Sequence, residues 1–482
     1  MDYKKELKSG IFVSAIGKYS IYIIQYVLLM ILSRILTPAE FGVVSIVNIF
    51  LTFFNMLIDM GIGPAIIQNK ALTEKQVNGI FSFTILLSIL VSIVFALLAK
   101  PIAIFFRNDH LIGASVAMAV ALFMIGINMV PQAVLLKEKR FREVNTAQIV
   151  SSLAGGAVST VFALTGFSYY ALILNTIVKN VIMFVFFYKK ANLTLTKTIE
   201  KSGLRAIYSF SRNQFLFNFI NYFSRNLDTI LIGRFLSTKA VGFYDKAYML
   251  SLYPNQMLTH VITPVIQPVM SQYEQQKEVI LRTYLLVSKI LAFIGMPLTA
   301  FLCISAEEVI YLLFGPQWGA SATTFQILAL SIWIQLIASS AGAIFQSANR
   351  TDLLLLSGIL SAVLNIAGII AGVTTGKIEY VAVFLVIAFS LNFIQSNYLL
   401  MRKTFQAKQR EFYRILRDPF IIALMVLVPL LAIQFFFAEW PLLLLFGVKA
   451  LTSLIMYLAG LKLTGNFGLL KKILKRGKRE AI

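Results

Sequence analysis

Fourteen continuous apolar segments, each of about 20 residues, run through this sequence of 482 residues. An α-helix needs about this length to cross the roughly 30 Å hydrocarbon core of a bilayer. At 58% hydrophobic and 13% charged residues, the chain is too apolar for a water-soluble protein. The predicted spans are 11–33, 41–66, 79–99, 111–135, 147–166, 169–188, 207–235, 241–268, 280–303, 322–347, 353–373, 378–400, 417–437 and 441–463.

The spans are predicted to be α-helices. Each segment is a continuous apolar run, whereas the strands of a membrane β-barrel are shorter and alternate apolar with polar residues. A helix also satisfies its own backbone hydrogen bonds, which lipid cannot do for it. The sequence therefore predicts an all-α polytopic membrane protein with 14 transmembrane helices and little mass outside the bilayer.

The net charge of +22 is unevenly distributed over the loops. If the N-terminus is cytoplasmic, most of the 43 Lys and Arg residues lie on that same side. This positive-inside pattern predicts that both termini are cytoplasmic, which requires an even number of spans. The basic tail at 471–479 is expected to contact anionic membrane lipids, and no nucleic acid partner is expected. The cations assigned to the opposite side are Arg34, Lys100, Arg107, Arg234, Lys239 and Lys377.

A long internal repeat relates the two halves of the chain. Residues 32–50, LSRILTPAEFGVVSIVNIF, return 200 positions later at 232–250 as IGRFLSTKAVGFYDKAYML. Farther along, the spacing becomes 210. Two like halves running in the same sense are a common plan of transporters that rock one half against the other. The paired positions are Arg34 and Arg234, Leu36 and Leu236, Gly42 and Gly242, Pro64 and Pro264, Arg140 and Arg350, Gly166 and Gly376, and Tyr170 and Tyr380.

The repeat predicts three domains. Helices 1–6 form an N-lobe at 1–200, and helices 7–12 form a C-lobe at 201–403 as its parallel repeat. Residues 404–482 contain helices 13 and 14, which are expected to pack peripherally, and the basic cytoplasmic tail. Two basic loops end the six-helix lobes and are their natural boundaries.

Polar residues form stripes at helical spacing on the first two helices of each half. Because ionisable and polar groups are costly at membrane depth, each stripe should face a partner, an interface or a cavity. We predict that the four stripes line one central cavity. Its candidate substrate-binding residues are Lys18 and Gln25 of helix 1, Asn48 and Asn55 of helix 2, Asn218, Asn221 and Arg225 of helix 7, and Asn255 of helix 8.

Cationic and amide side chains in one cavity suit a substrate that carries both phosphate and sugar. Arg225 is expected to contribute most to holding a diphosphate. Structural roles remain open for the same residues, since polar side chains in spans often only bond a neighbouring helix. Arg225 and Asp228 can form a self-neutralising pair, and Lys18 lies near enough to the cytoplasmic end to extend toward water.

No catalytic site is expected. The chain has no GxxxxGK[ST] phosphate-binding loop, only two His residues, and a single cysteine, Cys303, inside a predicted span. No large domain lies outside the membrane to contain a soluble active site. The sequence therefore predicts neither an enzyme, nor a cofactor, nor a metal site.

Residues 33–68, SRILTPAEFGVVSIVNIFLTFFNMLIDMGIGPAIIQ, resemble the start of polysaccharide transporters of the Wzx type, including exporters for colanic and teichuronic acids. These belong to the multidrug/oligosaccharidyl-lipid/polysaccharide exporter superfamily. In that branch a first helix ends in an Arg–x–Leu–[Ser/Thr]–Pro turn, and a second ends in Asp–x–Gly. The matching residues are Arg34, Leu36, Thr37, Pro38, Gly42, Asp59 and Gly61.

The resemblance implies a flippase for undecaprenyl-diphosphate-linked oligosaccharides in the cytoplasmic membrane of a bacterium, working by alternating access. Coupling to H⁺ or Na⁺ is implied for the superfamily, and Asp59 and Asp228 are candidate carriers. A polysaccharide polymerase and glycosyltransferases are further implied partners. The alternatives are a lipid II flippase, which is expected to have more cavity arginines, and a cation-coupled multidrug exporter, which favours an acidic cavity.

Overall fold

The computed structural model describes residues 3–196, 215, 222 and 226–468, with the side chains of 3–16, 18 and 258–269 excepted. Every regular element in this part of the chain is helical, as the sequence predicts. In the first half the helices are α1 Tyr3–Ile35, α2 Pro38–Asp59, α3 Ile62–Gln68, α4 Glu74–Leu97, α5 Ala99–Phe106, α6 His110–Lys137, α7 Phe141–Leu164, α8 Tyr170–Ala191 and α9 226–235.

The second half begins with another long helix and contains several short ones. Its helices are α10 Thr238–Met270, α11 Lys277–Ile304, α12 Ala306–Phe314, α13 Gly319–Ala329, α14 Ile332–Ala338, α15 Ala341–Ser347, α16 Thr351–Thr374, α17 Ile378–Tyr398, α18 Gln409–Ile415, α19 Arg417–Phe436 and α20 Leu442–Leu463. A π-helical turn, Leu399–Thr404, continues α17.

The protein is a multi-pass membrane protein. Within the described residues, ten helices are long and apolar enough to cross a membrane, and a bent pair at 316–347 makes eleven. These eleven correspond to predicted spans 2–6 and 9–14. Predicted spans 1 and 8 coincide with α1 and α10, and most of span 7 lies outside the described residues.

The tenth predicted span, 322–347, is broken rather than continuous. Pro316–Ala329 and Ile332–Ser347 meet at a bend of 49°. At the bend, the backbone N–H of Trp333 donates to Thr299 Oγ1 of α11 at 3.1 Å, so a neighbouring side chain replaces a helical carbonyl. The Ser331 hydroxyl donates to the carbonyl oxygen of Leu328 at 2.7 Å. Serine side chains that bond the backbone in this way bend helices.

The helices α2 and α10 begin with the same capping arrangement. Thr37 Oγ1 accepts a hydrogen bond from the backbone N–H of Glu40, and Ser237 Oγ accepts one from Ala240, 200 positions later. Such side chains satisfy N–H groups that have no partner within the helix. The paired positions of the repeat therefore start their helices in the same way.

Gly42 and Gly242 lie where these two helix starts meet. A Cβ on Gly42 would overlap the carbonyl oxygen of Thr238, and a Cβ on Gly242 would overlap that of Pro38. The contact is thus reciprocal between positions that the repeat pairs. Glycine is required because only a backbone without a side chain can approach another backbone this closely.

The loops before α7 and α16 also match. Lys139 and Asn349 both have positive φ, at 60° and 52°. The next residues, Arg140 and Arg350, donate through Nη1 to the carbonyl oxygens of Lys190 and Lys403 at 2.8 and 3.0 Å. Each arginine thus ties the start of one helix to the end of the helix that follows it.

Each of these guanidinium groups also pairs with a nearby carboxylate. Arg140 bonds both oxygens of Glu143, and Arg350 bonds both oxygens of Asp352. The hydrogen bonds that Arg140 donates to Glu143 raise the pKa of Arg140 above its usual value. Such two-point pairs fix an arginine in one orientation, which suits a role in holding the turn.

The chain divides into two compact units, residues 1–242 and 243–482. In the first unit α7 packs on α1 and α8, and α6 packs on α2, α4 and α8. In the second unit α16 packs on α17, and α11 packs on α14 and α19, which contacts α20. The division at 242 falls within α10. The lobes at 1–200 and 201–403 stay a prediction.

Candidate functional site

Helix α2 exposes polar residues and buries apolar ones. From Val43 to Asp59, only Asn48 and Thr52 are exposed, and nearer the helix start Ala39 is exposed as well. Ile46 and its apolar neighbours are buried or half-buried. A membrane helix with this distribution presents its accessible face to water or to polar groups rather than to lipid tails.

Asn55 and Asp59 lie farther along the polar stripe predicted for α2, and both are half-buried. The side-chain oxygen of Asn55 is inaccessible and has no hydrogen-bond partner in the described part of the chain. The Asp59 carboxylate accepts a hydrogen bond from the backbone N–H of Gly63 at the start of α3. Asn55 therefore has an unused acceptor, whereas Asp59 has a structural bond at a helix start.

The predicted stripe of helix α1 is described in part. Gln25 is exposed, as is Tyr22, whose ring stacks on Tyr26 at a centroid distance of 6.5 Å. The side chain of Lys18 lies outside the described residues. Polar and apolar residues are both exposed on this helix, because Ile23 and Val27 are also accessible. The exposed face of α1 is therefore mixed, unlike that of α2.

Three candidates on the seventh predicted span, Asn218, Asn221 and Arg225, lie outside the described residues. The described residues nearby pack against α2. The Tyr222 hydroxyl donates to the carbonyl oxygen of Ile49 at 3.0 Å, and the Tyr222 ring lies 5.4 Å from that of Phe53. This contact anchors the span to the side of α2 that carries the buried apolar residues.

Asp228 is buried, with 6% of its surface exposed. Its carboxylate accepts hydrogen bonds from the backbone N–H of Thr229 at 2.8 Å and from the Thr229 hydroxyl at 3.5 Å. These bonds supply part of the solvation that a buried carboxylate loses.

In the second unit Asn255 of α10 is half-buried. About two and a half turns toward the helix start, Lys246 is buried at 2% exposure. Its ammonium lies 5.2 Å from the ring centroid of Phe314 and 5.4 Å from that of Trp318. Aromatic faces attract a cation and offset part of its burial cost. Lys246 thus contributes to packing beside α12.

One buried charged cluster is absent from the sequence prediction. Lys449 of α20 donates to Glu308 of α12 and to the side-chain oxygen of Gln434 of α19. It also donates to the carbonyl oxygen of Ile304 at 3.1 Å. Glu308 and Lys449 are 3% and 0% exposed. Glu308 and Lys449 are 141 positions apart in sequence, so no local pattern pairs them.

The described candidates on α2 can form hydrogen bonds. The exposed Asn48 offers an amide, and the exposed Thr52 offers a hydroxyl that donates to the carbonyl oxygen of Asn48 and can still accept a bond. Amides and hydroxyls are groups that bind sugar hydroxyls. Within the described residues, no group of three or more His, Cys, Asp or Glu side chains is placed to hold a metal ion. The arrangement on α2 suits recognition of a polar molecule.

The polysaccharide biosynthesis protein family matches residues 31–323. The teichuronic acid biosynthesis protein TuaB of Bacillus subtilis is 25% identical over 424 residues, covering 87% of each chain. The lipopolysaccharide biosynthesis protein WzxC of Escherichia coli is 23% identical over 440 residues, covering 89% of this chain and 87% of its own. The similarities to TuaB and WzxC extend over nearly the whole sequence.

Among solved structures, the fold is similar to that of the lipid II flippase MurJ in an inward closed conformation. The TM-score is 0.73, and the match covers 94% of this chain and 98% of that chain. Sequence identity is 12%, so the likeness concerns the fold alone.

Proposed function

Because this chain belongs to the polysaccharide biosynthesis protein family, we propose that it is a flippase for lipid-linked oligosaccharides. It moves an undecaprenyl-diphosphate-linked repeat unit from the cytoplasmic to the outer leaflet, for assembly of a cell-surface polysaccharide. The names of its relatives support this substrate class, because they concern teichuronic acid and lipopolysaccharide biosynthesis. The protein moves its substrate without changing it chemically.

The exposed polar face of α2 is the structural observation that carries the proposal. Asn48 and Thr52 are exposed within this apolar span, whereas the apolar residues around them are buried or half-buried. A glycan crossing a bilayer needs hydrogen-bonding groups along its path, because lipid tails offer none. The polar face of α2 supplies such groups.

We further propose the full topology of fourteen spans, with two six-helix lobes, two additional C-terminal helices and both termini in the cytoplasm. Two observations support it. The number of apolar segments, fourteen, is even, and most Lys and Arg residues lie in loops on the side of the N-terminus. Transport follows an alternating-access cycle, in which polar stripes of both lobes face one pathway. Anionic membrane lipids contact the basic tail.

Arg225 is the proposed main contact of the diphosphate, together with Lys18. A guanidinium can donate several charge-assisted bonds to phosphate oxygens. Asp59 and Asp228 remain proposed carriers of a coupling H⁺ or Na⁺. The described bond from Gly63 to Asp59 favours a structural contribution of this carboxylate as well.

Transport by purified protein in liposomes tests the function. Undecaprenyl-diphosphate-linked oligosaccharide should become accessible to an added glycosidase on the far side of the membrane, and lipid II or a cationic dye should not be moved at a comparable rate. Faster movement of lipid II or of the dye would support one of the alternatives and contradict this proposal.

A complementation assay in a strain lacking its flippase tests Arg225. Arg225→Ala should abolish most glycan export at unchanged membrane abundance, because each charge-assisted bond contributes about 1.5–3 kcal/mol. Arg225→Lys should restore part of it, since the charge remains but the planar fork is lost. Wild-type export by Arg225→Ala would remove this residue from the mechanism. Joint recovery of expression and export in the Arg225→Ala, Asp228→Ala double variant would instead indicate a structural pair.

A further inference from the structure

A half-buried arginine lies between two aromatic rings at the end of α9. The guanidinium carbon of Arg234 is 5.4 Å from the ring centroid of Phe105 and 5.9 Å from that of Phe235. Aromatic faces attract a cation and hold it in place. A guanidinium carries five N–H donors, and those of Arg234 have no hydrogen-bond or ion-pair partner among the described residues. The group is therefore positioned, and its donors are available to a ligand.

The end of α5 meets the end of α9 and the start of α10 beside this guanidinium. Phe106 packs so closely on Gly233 that a Cβ there would be 2.9 Å from the Phe106 ring. Asn108 Nδ2 donates to Thr238 Oγ1 at 2.9 Å. Arg107 comes between these two contacts in the chain, is exposed, and has no bond within the described part of the chain. A second arginine with unmatched donors thus belongs to the same junction.

The surface around these arginines is apolar and lies at the end of a membrane span. Ile104, Phe105 and Phe235 are all exposed. Helix α5 begins two positions after the end of α4, which is long and apolar enough to cross a membrane. Lys100 near the start of α5 is exposed as well. A short helix that exposes apolar side chains beside basic ones is typical of the headgroup layer of a bilayer, where aromatic residues are also enriched.

Nearby carboxylates do not neutralise these cations. Asp109 is exposed two positions after Arg107 and forms no ion pair with any described residue. Glu40 accepts bonds within the capping arrangement of α2. Lys100, Arg107 and Arg234 are three of the six cations that the sequence assigns to the side opposite the N-terminus. Half of the cations expected on that side therefore belong to one surface, which stays positively charged.

We propose that Arg234 and Arg107 bind the phosphate group of an anionic membrane phospholipid, whose acyl chains lie against the exposed apolar side chains of α5. Guanidinium groups form charge-assisted bonds with phosphate oxygens, and Lys100 adds attraction at longer range. A soluble anion would leave the apolar side chains in water, whereas a lipid covers them. The bound lipid bridges α5 and α9. It is not the transported glycan, so the failure of this proposal and that of the flippase proposal are distinguishable.

Thermal unfolding of the purified full chain in detergent measures the binding. Phosphatidylglycerol, phosphatidylcholine and inorganic phosphate are titrated separately at constant ionic strength. Phosphatidylglycerol should raise the unfolding temperature more than zwitterionic phosphatidylcholine, because a ligand that binds the folded chain stabilises it. Inorganic phosphate, which has no acyl chains, should have little effect. Arg234→Gln should weaken phosphatidylglycerol binding by roughly tenfold or more, and Arg107→Gln by about fivefold.

Lys377→Gln is the matched control, because it removes one exposed cation from the same predicted side and should leave the lipid response unchanged. Arg107→Gln decides the matter if Arg234→Gln fails to fold, since the exposed Arg107 makes no bond to the rest of the described chain. The proposal is overturned if the two lipids stabilise the unsubstituted protein equally, or if both arginine variants, where folded, respond like Lys377→Gln. Equal stabilisation by inorganic phosphate and phosphatidylglycerol would indicate a site for soluble anions and would also overturn it.

Discussion

Replacing Gly42 by alanine should destabilise the protein by about 3 kcal/mol. A Cβ at this position would lie 2.8 Å from the carbonyl carbon of Thr238 and overlap the attached oxygen. Carbon atoms in contact are about 3.5–4.0 Å apart, so the starts of α2 and α10 would have to separate by about 1 Å. Overpacking costs about 1–3 kcal/mol, and the upper end applies because the obstructing group is backbone, which cannot rotate away.

The reciprocal contact at Gly242 makes the effect non-additive. One separation of the two helix starts relieves the clash of either Cβ, so the Gly42→Ala, Gly242→Ala double variant should cost less than the sum of the single variants. Thermal unfolding in detergent checks both statements. Gly358 is the matched control, because a Cβ there meets nothing within 4 Å in α16. Unfolding of Gly42→Ala at the same temperature as Gly358→Ala would refute the reasoning.

Two further predictions concern the polar face of α2 and the arginines in the loops before α7 and α16. In a chain whose lone cysteine is replaced by serine, Asn48→Cys should react with a membrane-impermeant maleimide if the polar face of α2 lines the proposed pathway. Val363→Cys, 58% exposed on an apolar face, should not react, and equal labelling of both would contradict the assignment. Arg140→Ala and Arg350→Ala should each lower the melting temperature, because the bonds to the end of the following helix and to the nearby carboxylate are lost. Lysine at either position should restore less than half of the loss, since it makes a single-point contact; full rescue by lysine would show that charge alone suffices.

The helices and several paired turns could be predicted from the sequence, because both depend on local properties. The length of each apolar segment predicts the spanning helices that the structure describes. The repeat also pairs Gly166 with Gly376, and both have positive φ, at 86° and 79°. Glycine recurs there because positive φ is strained for other residues. Arg140 and Arg350 recur because each reaches the end of the following helix.

The broken span and the buried charges could not be predicted in the same way. The bend at 330–331 depends on Thr299, which belongs to another helix. The Glu308–Lys449 pair joins residues 141 positions apart, and neither lies in a periodic polar stripe. Such features arise from tertiary contacts, which one sequence does not reveal. The candidates on the seventh span, including Arg225, remain predictions.

The Glu308–Lys449 pair also has a consequence for the synthesis of the protein. Glu308 leaves the ribosome 141 residues before its partner, which at about 5–20 residues per second is a delay of roughly 7–28 s. An unpaired carboxylate is costly inside a bilayer. During this interval Glu308 must therefore stay in contact with water or carry a proton. Glu308 becomes paired and fully buried only after α20 has inserted. A chain truncated before Leu442 should therefore be recognised as incomplete and degraded.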